Sequence, residues 1–240
     1  METTSKTSTN DKWLKPTTLF CVAILASVAI GLSIYAINSG MSKKDGKNRS
    51  DNELTINGYA VEGDVFELAN EFKTENVTVY SEGEHYVNLN GFSYYGFDDC
   101  SIAFRGTPRT NRVYTVEVSL PYTDNLSVLK ERYFSIRDAF LKRYNATSSS
   151  DYVELHMDVL ASANSISDLH WQQMAIGHES RTPETKISNI NNGEIRILIW
   201  CHSDRGTIFI FFNNLNNTDL RQQEINKNKE EGRSNWLDEL

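Results

Sequence analysis

The chain of 240 residues is long enough for one large domain or two small ones, and its 39% hydrophobic and 23% charged residues are typical of a globular protein. Its formal net charge of −8 at pH 7 disfavours nucleic acid as a partner, because an acidic surface does not attract phosphate backbones. Three cysteines without a CxxC pair exclude a disulfide-rich scaffold, a zinc ribbon and a thioredoxin-like motif.

An uncharged apolar run over residues 19–37 follows a polar N-terminal tail at residues 1–18. At about 1.5 Å per residue, a helix of this length spans roughly 28 Å, close to the membrane's hydrocarbon core of about 30 Å. Trp13 and Tyr35 lie near its two ends, where aromatic rings prefer the membrane interface. The run predicts a single-pass transmembrane helix in the lipid bilayer, and a cleaved signal peptide or a buried core helix are the alternatives.

Three small residues of this helix, Ala23, Ser27 and Gly31, are spaced four apart and therefore share one face. Small residues at this spacing allow two membrane helices to approach closely, so a homodimer through this face is one interpretation. The alternative is that small residues are simply frequent in membrane helices. Basic residues on the two sides of the run nearly balance, so the orientation follows from composition. A body rich in Asn, Ser and Thr favours a periplasmic or other extracytoplasmic domain, as in a bacterial envelope protein.

Residues 38–53 are polar and predict a flexible tether, and an α+β domain over residues 54–215 follows it. Val65, Leu68, Ala69 and Phe72 recur at helical spacing behind a potential capping residue, so a helix is predicted over 64–74. Strand-like runs come next, bounded by glycines and a proline, at 77–81, 86–97, 100–104 and 112–120.

A second, longer helix is predicted from Asn125 to Tyr144, because apolar residues recur along it at helical spacing. A strand at about 152–160 follows it, and then an uncertain segment at 161–193. Two strands at 195–201 and 206–212 are separated by a short polar sequence that predicts a tight hairpin. The end of the chain, residues 216–240, is at best a polar helix or tail.

This order of elements predicts antiparallel sheet with helices on one face, arranged as two tandem helix-plus-sheet halves at 54–121 and 122–215. It is similar to the arrangement of β-lactamase-inhibitor-type binding proteins at the level of element order, and such a likeness of fold implies no function. A residue-level repeat between the halves is not evident in the sequence.

Several short pieces resemble an uncharacterised family of small α+β proteins from gut Bacteroidota. They are distributed over residues 54–212, at 58–63, 91–100, 129–133, 143–145 and 200–208. Asn145 stands where the family usually has glycine, and the internal spacing of the aromatic-glycine piece also differs. The resemblance implies an α+β fold, and it implies no activity, because the family offers no catalytic residues to carry over.

No motif for catalysis, cofactor binding or metal binding stands out. The sequence "GFSYYG" at 91–96 is not a nucleophile elbow, because its second glycine comes one position too late. Asp98 and Asp99 are adjacent on a predicted strand and so point to opposite faces. The histidines lack HExxH spacing, and glycine-rich phosphate loops are missing from the sequence. We therefore expect no catalytic, cofactor-binding or metal-binding residues and no cofactor.

Two cysteines, Cys100 and Cys201, lie on predicted strands in opposite halves of the domain. They could form a disulfide if the domain is extracytoplasmic. The favoured interpretation is two buried free thiols that behave as small apolar side chains.

These features favour a membrane-anchored, non-enzymatic module that binds a protein, a peptide or an envelope component. Two alternatives stay open. One is a hydrolase-type enzyme that uses scattered Asp, Glu and His residues, which convergent carboxylates or an activated Cys–His pair would support. The other is a structural envelope protein that oligomerises through its membrane helix.

Overall fold

The computed structural model describes residues 52–174 and 181–232. Within these ranges lie ten strands: β1 (Thr55–Ile56), β2 (Tyr59–Ala60), β3 (Thr78–Gly83), β4 (Tyr86–Tyr94), β5 (Phe97–Gly106), β6 (Val113–Ser119), β7 (Tyr152–Leu155), β8 (Glu184–Ile190), β9 (Gly193–His202) and β10 (Arg205–Asn214). The same ranges contain five helices: α1 (Val65–Asn70), α2 (Leu126–Arg143), α3 (Met157–Ser162), α4 (Ile166–Met174) and α5 (Leu215–Glu230).

Strands β3 to β10 form one 8-stranded sheet in the order β3-β4-β5-β6-β10-β9-β8-β7. Every neighbouring pair in it is antiparallel. Strands β3 to β6 form one meander and β7 to β10 form a second, and the two join where β6 pairs with β10. β1 and β2 form a separate two-stranded sheet. The predicted α+β class with a large antiparallel sheet is confirmed.

One face of the sheet forms the hydrophobic core. Along β10, Ile208, Ile210 and Phe212 are fully buried, and the residues between them point to the other face. Helix α2 contacts β9 and β10, while α1 contacts β4 and β5. The buried stripe of α2 is the one predicted from helical spacing: Leu129, Tyr133, Ile136 and Phe140. Burying such a side chain contributes about 1.5–3 kcal/mol, so this layer is a main source of stability.

Both predicted helix starts are capped by the side chains expected from the sequence. Asn125 accepts hydrogen bonds from the backbone N–H groups of Ser127 at 2.9 Å and Val128 at 3.1 Å. Asp64 accepts in the same way from Phe66 at 2.8 Å. These bonds satisfy N–H groups that have no partner inside the helix. Helix α1 ends at Asn70, four residues before the predicted end at position 74.

The sequence "GFSYYGFDDC" at 91–100 forms a hairpin that packs against α2. The strand predicted over 86–97 is interrupted by a turn at Tyr95 and Gly96, which have φ angles of 50° and 79°. Positive φ at both central residues is the signature of a type I′ hairpin turn. The ring of Tyr95 lies 5.4 Å from that of Phe140, and the Arg132 guanidinium lies 5.1 Å from the Phe97 ring. The aromatic residues of this segment therefore pack rather than react.

The strand predicted at 152–160 is wrong in its second half, because β7 ends at Leu155 and α3 begins at Met157. His156 breaks the strand with a φ of 55°, in the left-handed region. Val159 and Leu160 are both 1% exposed, because α3 buries them in the core. Their spacing fits a strand as well as a short helix, so the apolar pattern alone could not separate the two.

Helix α4 occupies an edge of β9 that β8 leaves uncovered. The buried side-chain amide of Gln173 donates to the carbonyl of Ile199 at 2.9 Å and accepts from the N–H of Cys201 at 3.1 Å. His170 contacts the carbonyl of Cys201 through Nδ1 at 2.9 Å. Gln173 therefore replaces a strand neighbour, since it satisfies backbone groups that would otherwise be buried without partners.

We distinguish two ends of the sheet: the near end, where the described chain enters the fold, and the far end, where β9 turns into β10. At the near end, the N–H of Asn191 donates to the carbonyl of Asn52 at 2.9 Å, where the described chain enters the fold. Helix α5 also begins there, and Glu224 in its second half accepts a hydrogen bond from the N–H of Arg109 at 2.7 Å. At the far end lies the turn between β9 and β10, Ser203 and Asp204. The nine steps from Gly193 to His202 along β9 correspond to about 31 Å, at about 3.4 Å per residue.

The predicted transmembrane helix at 19–37 lies outside the described residues, as do the tail at 1–18 and nearly all of the tether at 38–53. In the ranges 52–174 and 181–232, no helix has the length and apolar character needed to cross a bilayer.

Candidate functional site

The face of the sheet opposite the core is the candidate functional site, and we call it the open face. Its side chains alternate with the buried residues of each strand. On β9 these are Glu194, Arg196, Leu198 and Trp200, and the first three are half-buried while Trp200 is 38% exposed. Strands β4 to β6 and β8 to β10 all contribute to this face.

The strand register aligns the open-face side chains in rows that run across the sheet. One row follows the pairings from β4 to β9: Asn90, Ser101, Ser119, Phe209 and Leu198. The next row towards the near end follows the same strands: Asn88, Ala103, Glu117, Phe211 and Arg196. Residues opposite each other in antiparallel strands lie about 4.5–5.5 Å apart, so each row is a contiguous strip of surface.

An aromatic ridge crosses the second half of the open face, and we define it as Leu198, Trp200, Phe209 and Phe211. The rings of Phe209 and Phe211 lie 6.2 Å apart. All four residues are outside the main hydrophobic core. Strand β7 adds two apolar side chains at the edge of the sheet beyond the ridge. They are Val153 and Leu155, which are 46% and 41% exposed.

Two ion pairs lie beside the aromatic ridge. The Arg196 guanidinium donates to both carboxylate oxygens of Glu184, at 2.5 Å from Nε and 2.9 Å from Nη2. Lys186 Nζ lies 2.5 Å from the carboxylate of Glu194. The hydrogen bond to Glu184 is the main cause that raises the pKa of Arg196. The charges in this half of the face therefore compensate each other.

The first half of the open face carries an acidic depression, defined as Ser101, Ala103, Ser119 and Glu117. The first three have small side chains, so the surface is lower here than at the adjacent ring of Phe209. Ser101 Oγ donates to Asn90 Oδ1 at 2.8 Å. Glu117 is the one large side chain of the four, and it is half-buried.

The carboxylate of Glu117 has neither a hydrogen bond nor an ion pair with any residue in the described ranges. Burial raises its pKa, and the charge of Arg105 opposes this shift without cancelling it. Arg105 instead lies over the ring of Tyr86, with its guanidinium carbon 5.3 Å from the ring centre. Glu117 thus differs from Glu184 and Glu194, which each have a cationic partner.

The structure keeps the two candidate disulfide cysteines apart as free, buried thiols. Cys100 is on β5 and Cys201 is on β9, so β6 and β10 lie between them. Three strand spacings correspond to about 14 Å, whereas a disulfide needs Cα atoms within about 7 Å. This placement favours the interpretation as two buried thiols. Burial raises the pKa of Cys100 to about 11 and that of Cys201 to about 12, so neither is an activated nucleophile.

The remaining predicted features are also accounted for by local structure. The Asp98 carboxylate accepts a hydrogen bond from Ser93 Oγ at 2.7 Å across the hairpin. His170 and His202 have ring centres 6.1 Å apart. Over the described ranges, no group of three or more His, Cys, Asp and Glu residues is placed to hold a metal ion. The proposed membrane contact residues Ala23, Ser27 and Gly31 lie outside those ranges.

A polar cavity of about 380 Å³ lies at the near end, beside the first turn of α5. Its charged side chains, Glu62 and Arg112, are both exposed to solvent. The other residues that line it are Gly63, Asn214, Asn216 and Asn217. Asn214 and Asn217 are engaged with the backbone carbonyls of Val61 and Val113, at 2.8 and 2.7 Å. This cavity has a structural role in fixing α5, and it lacks the apolar lining of a typical ligand pocket.

A scan against protein-family models, a search of curated proteins and a search of solved structures each found no match to this chain. The resemblance to the family from gut Bacteroidota stays a prediction.

Sequence reasoning missed the open face, although the sequence contains a signal for it. In the runs "IRILIW" at 195–200 and "TIFIFF" at 207–212, apolar residues occupy both odd and even positions, so both faces of each strand carry apolar side chains. A strand with one face in water normally alternates apolar and polar residues. Two adjacent strands that break this rule indicate a second apolar surface.

Proposed function

We propose that this chain is a single-pass, membrane-anchored binding module whose open face docks a protein partner. In this proposal the module is non-enzymatic, is built from two tandem helix-plus-sheet halves, and lies outside the cytoplasm. The observation that carries the proposal is the aromatic ridge of Leu198, Trp200, Phe209 and Phe211, which the chain leaves outside its own core.

The composition of the ridge supports a protein partner. Trp, Phe, Tyr and Arg are enriched in the centres of protein–protein interfaces, where they supply most of the binding energy. A contiguous apolar surface with a polar rim is unusual on a monomer without an interaction partner. Here the rim consists of the pairs Arg196–Glu184 and Lys186–Glu194. Because these charges are already compensated, the ridge contributes apolar contact, and specificity must come from other parts of the face.

The point at which the described chain enters the fold is separate from the ridge. The described chain enters the fold at the near end, at Asn52, whereas Trp200 lies towards the far end on β9. A flexible tether over residues 38–53 would have a root-mean-square length of about 22 Å, at about 5.5 Å times the square root of its residue number.

Site-specific photocrosslinking in cells tests the docking surface. Phe209 is replaced by the photoreactive residue p-benzoylphenylalanine in the full chain, and Tyr80 on β3 is replaced in the same way as a matched control. Tyr80 is 73% exposed and lies on the edge strand β3, four strand positions from β10. We expect a discrete protein adduct at position 209 and none at position 80. Identical adducts at both positions, or none at 209 after illumination, would contradict docking on the open face.

Protease accessibility tests the anchor and the orientation. The proposal expects digestion of the body from outside the inner membrane of intact cells, together with a mature chain that keeps Met1. A body protected in intact cells would place it in the cytoplasm. A mature chain that begins near position 41 would instead indicate a released protein. Dimerisation through Ala23, Ser27 and Gly31 stays a separate prediction.

A further inference from the structure

The acidic depression adds a specific chemical requirement to the open face. Its floor is formed by the small side chains of Ser101, Ala103 and Ser119, and the pairing of Ser119 with Phe209 places an aromatic ring along one side. Glu117 is the diagonal neighbour of Phe209 across the same strand pair. A side chain that enters the depression would therefore contact an aromatic ring and a carboxylate together.

Glu117 is distinguished from the other acidic residues of this face by its lack of a partner within the described ranges. Glu184 and Glu194 are neutralised by Arg196 and Lys186. Arg105 attracts the charge of Glu117 only at longer range, because its guanidinium lies over the ring of Tyr86. A half-buried carboxylate without a direct hydrogen bond or ion pair is unfavourable, so such a group usually has a partner or a functional reason.

We propose that the acidic depression receives a lysine or arginine side chain of the protein partner, with Glu117 as its counter-ion and the Phe209 ring along its aliphatic stem. This inference rests on the proposed function of the open face and names the chemistry by which that face selects its partner. The compensated half supplies apolar contact, and the depression supplies the charge that fixes register.

The chemistry of the depression fits a basic side chain. Lysine and arginine carry three or more methylene groups that pack on apolar surface while the charged head reaches a polar group. A cation near an aromatic face gains additional attraction, and this gain grows when water is excluded. Burial raises the pKa of Glu117 in the free chain, and the charge of a bound cation would oppose that shift by stabilising the ionised carboxylate.

A random peptide library displayed on phage tests the proposal directly, because the selection itself supplies the ligand. The library is selected on the immobilised full chain in detergent and, in parallel, on three variants. Glu117→Gln removes the charge of the depression, Phe209→Ser with Phe211→Ser removes both phenylalanine rings of the ridge, and Glu82→Gln is a matched control. Glu82 is an exposed carboxylate on β3, away from the depression.

We expect peptides that need the ridge to share one lysine or arginine, and we expect that preference to disappear on Glu117→Gln and persist on Glu82→Gln. A synthetic peptide from the selection is then measured by fluorescence anisotropy. Replacing its basic residue with methionine should weaken binding to the parent chain by about tenfold and leave binding to Glu117→Gln unchanged. This non-additivity is the signature of direct contact.

Two results would overturn the inference, and they differ in what they say about the proposed function. Peptides that depend on the ridge but share no basic residue, or that bind Glu117→Gln equally well, would refute the cation site and keep the docking surface. If no peptide is enriched relative to the Phe209→Ser, Phe211→Ser variant, the docking surface and the cation site both fail.

Discussion

The two halves of the open face differ, although both belong to one continuous antiparallel sheet. In the first half, β5 and β6 present small side chains around Glu117, which has a raised pKa. In the second half, β9 and β10 present large apolar rings beside two ion pairs. One half is therefore low and carries a carboxylate that Arg105 compensates only at longer range, whereas the other is raised and has directly paired charges.

This difference indicates that the open face is not merely the solvent side of the sheet. A face that served only to keep the protein soluble would carry paired or well-hydrated charges in both halves. A surface with an apolar ridge next to an acidic depression can instead separate affinity from specificity. Apolar contact would supply most of the binding energy, and the charge would exclude partners without a complementary group.

The largest expected effect tests whether the ridge belongs to the core. Phe212 and Phe211 are adjacent on β10 but point to opposite faces, and Phe212 is fully buried. We expect Phe212→Ala to lower the free energy of unfolding by about 3–5 kcal/mol because it leaves a cavity. Phe211→Ala should cost less than about 1 kcal/mol. Denaturant titrations of both variants measure the difference.

Equal losses for the two variants would break the comparison, because they would show that the open-face aromatics stabilise the fold as core residues do. The Ser119→Ala variant, on the same face in the first half, is a suitable control and should leave the unfolding midpoint unchanged.

The next largest effect compares a glycine from each half. A Cβ atom at Gly206 on β10 would lie 2.5 Å from Leu129 Cδ2, whereas a Cβ at Gly106 on β5 would lie 3.1 Å from Val65 Cγ1. Leu129 is buried in the core and has little freedom to move. We expect Gly206→Ala to cost about 1–3 kcal/mol through overpacking, and Gly106→Ala to cost less. Thermal unfolding of both variants measures this order, and a reversed order would mean that α2 packs loosely on the second half.

Much of this architecture could be predicted from the sequence, and the reasons are local. Helix α2 carries an apolar stripe at helical spacing and a capping Asn125, so periodicity and capping gave nearly its true bounds of Leu126–Arg143. The alternation of polar and apolar residues along β6 likewise predicted a strand with one buried face. These elements are encoded by neighbours in sequence, and the structure only completes their packing.

The open face could not be predicted because it depends on strand register. The depression exists since Ser101 on β5 lies opposite Ser119 on β6, which in turn lies opposite Phe209 on β10. These residues are distant in sequence, and their alignment is fixed by pairing rather than by periodicity. The short helix α3 was missed for a related reason, because its two buried residues gain their environment only from the tertiary fold.

A smaller effect contrasts the carboxylates of the two halves. Glu184→Gln leaves Arg196 without its charged partner, and we expect a loss of about 1 kcal/mol, limited by the solvent exposure of Arg196. Glu117→Gln should instead raise the melting temperature at pH 7. Because the pKa of Glu117 is raised on folding, its charge costs stability above the folded pKa and costs nothing well below the ordinary value of 4.5.

Thermal unfolding at pH 7 and at a pH below the ordinary carboxyl pKa separates these two effects. The advantage of Glu117→Gln should vanish in acid, where the carboxyl group of the parent is protonated in both folded and unfolded chains. A Glu117→Gln variant that is less stable than the parent at pH 7 would show that Glu117 has a stabilising partner, and the contrast between the halves would fail.

The smallest effect concerns the two thiols, one in each half, and it leaves stability unchanged. Cys100 is fully buried and Cys201 is 1% exposed, and burial raises the pKa of both well above neutrality. A thiol reagent attacks the thiolate, so at a pH of about 7.5 neither residue should react until the domain unfolds. Alkylation followed by mass spectrometry of the two cysteine peptides measures this. Labelling in denaturant without a reductant is expected at both positions, whereas labelling that needs a reductant would reveal a disulfide and a strand arrangement different from the present sheet.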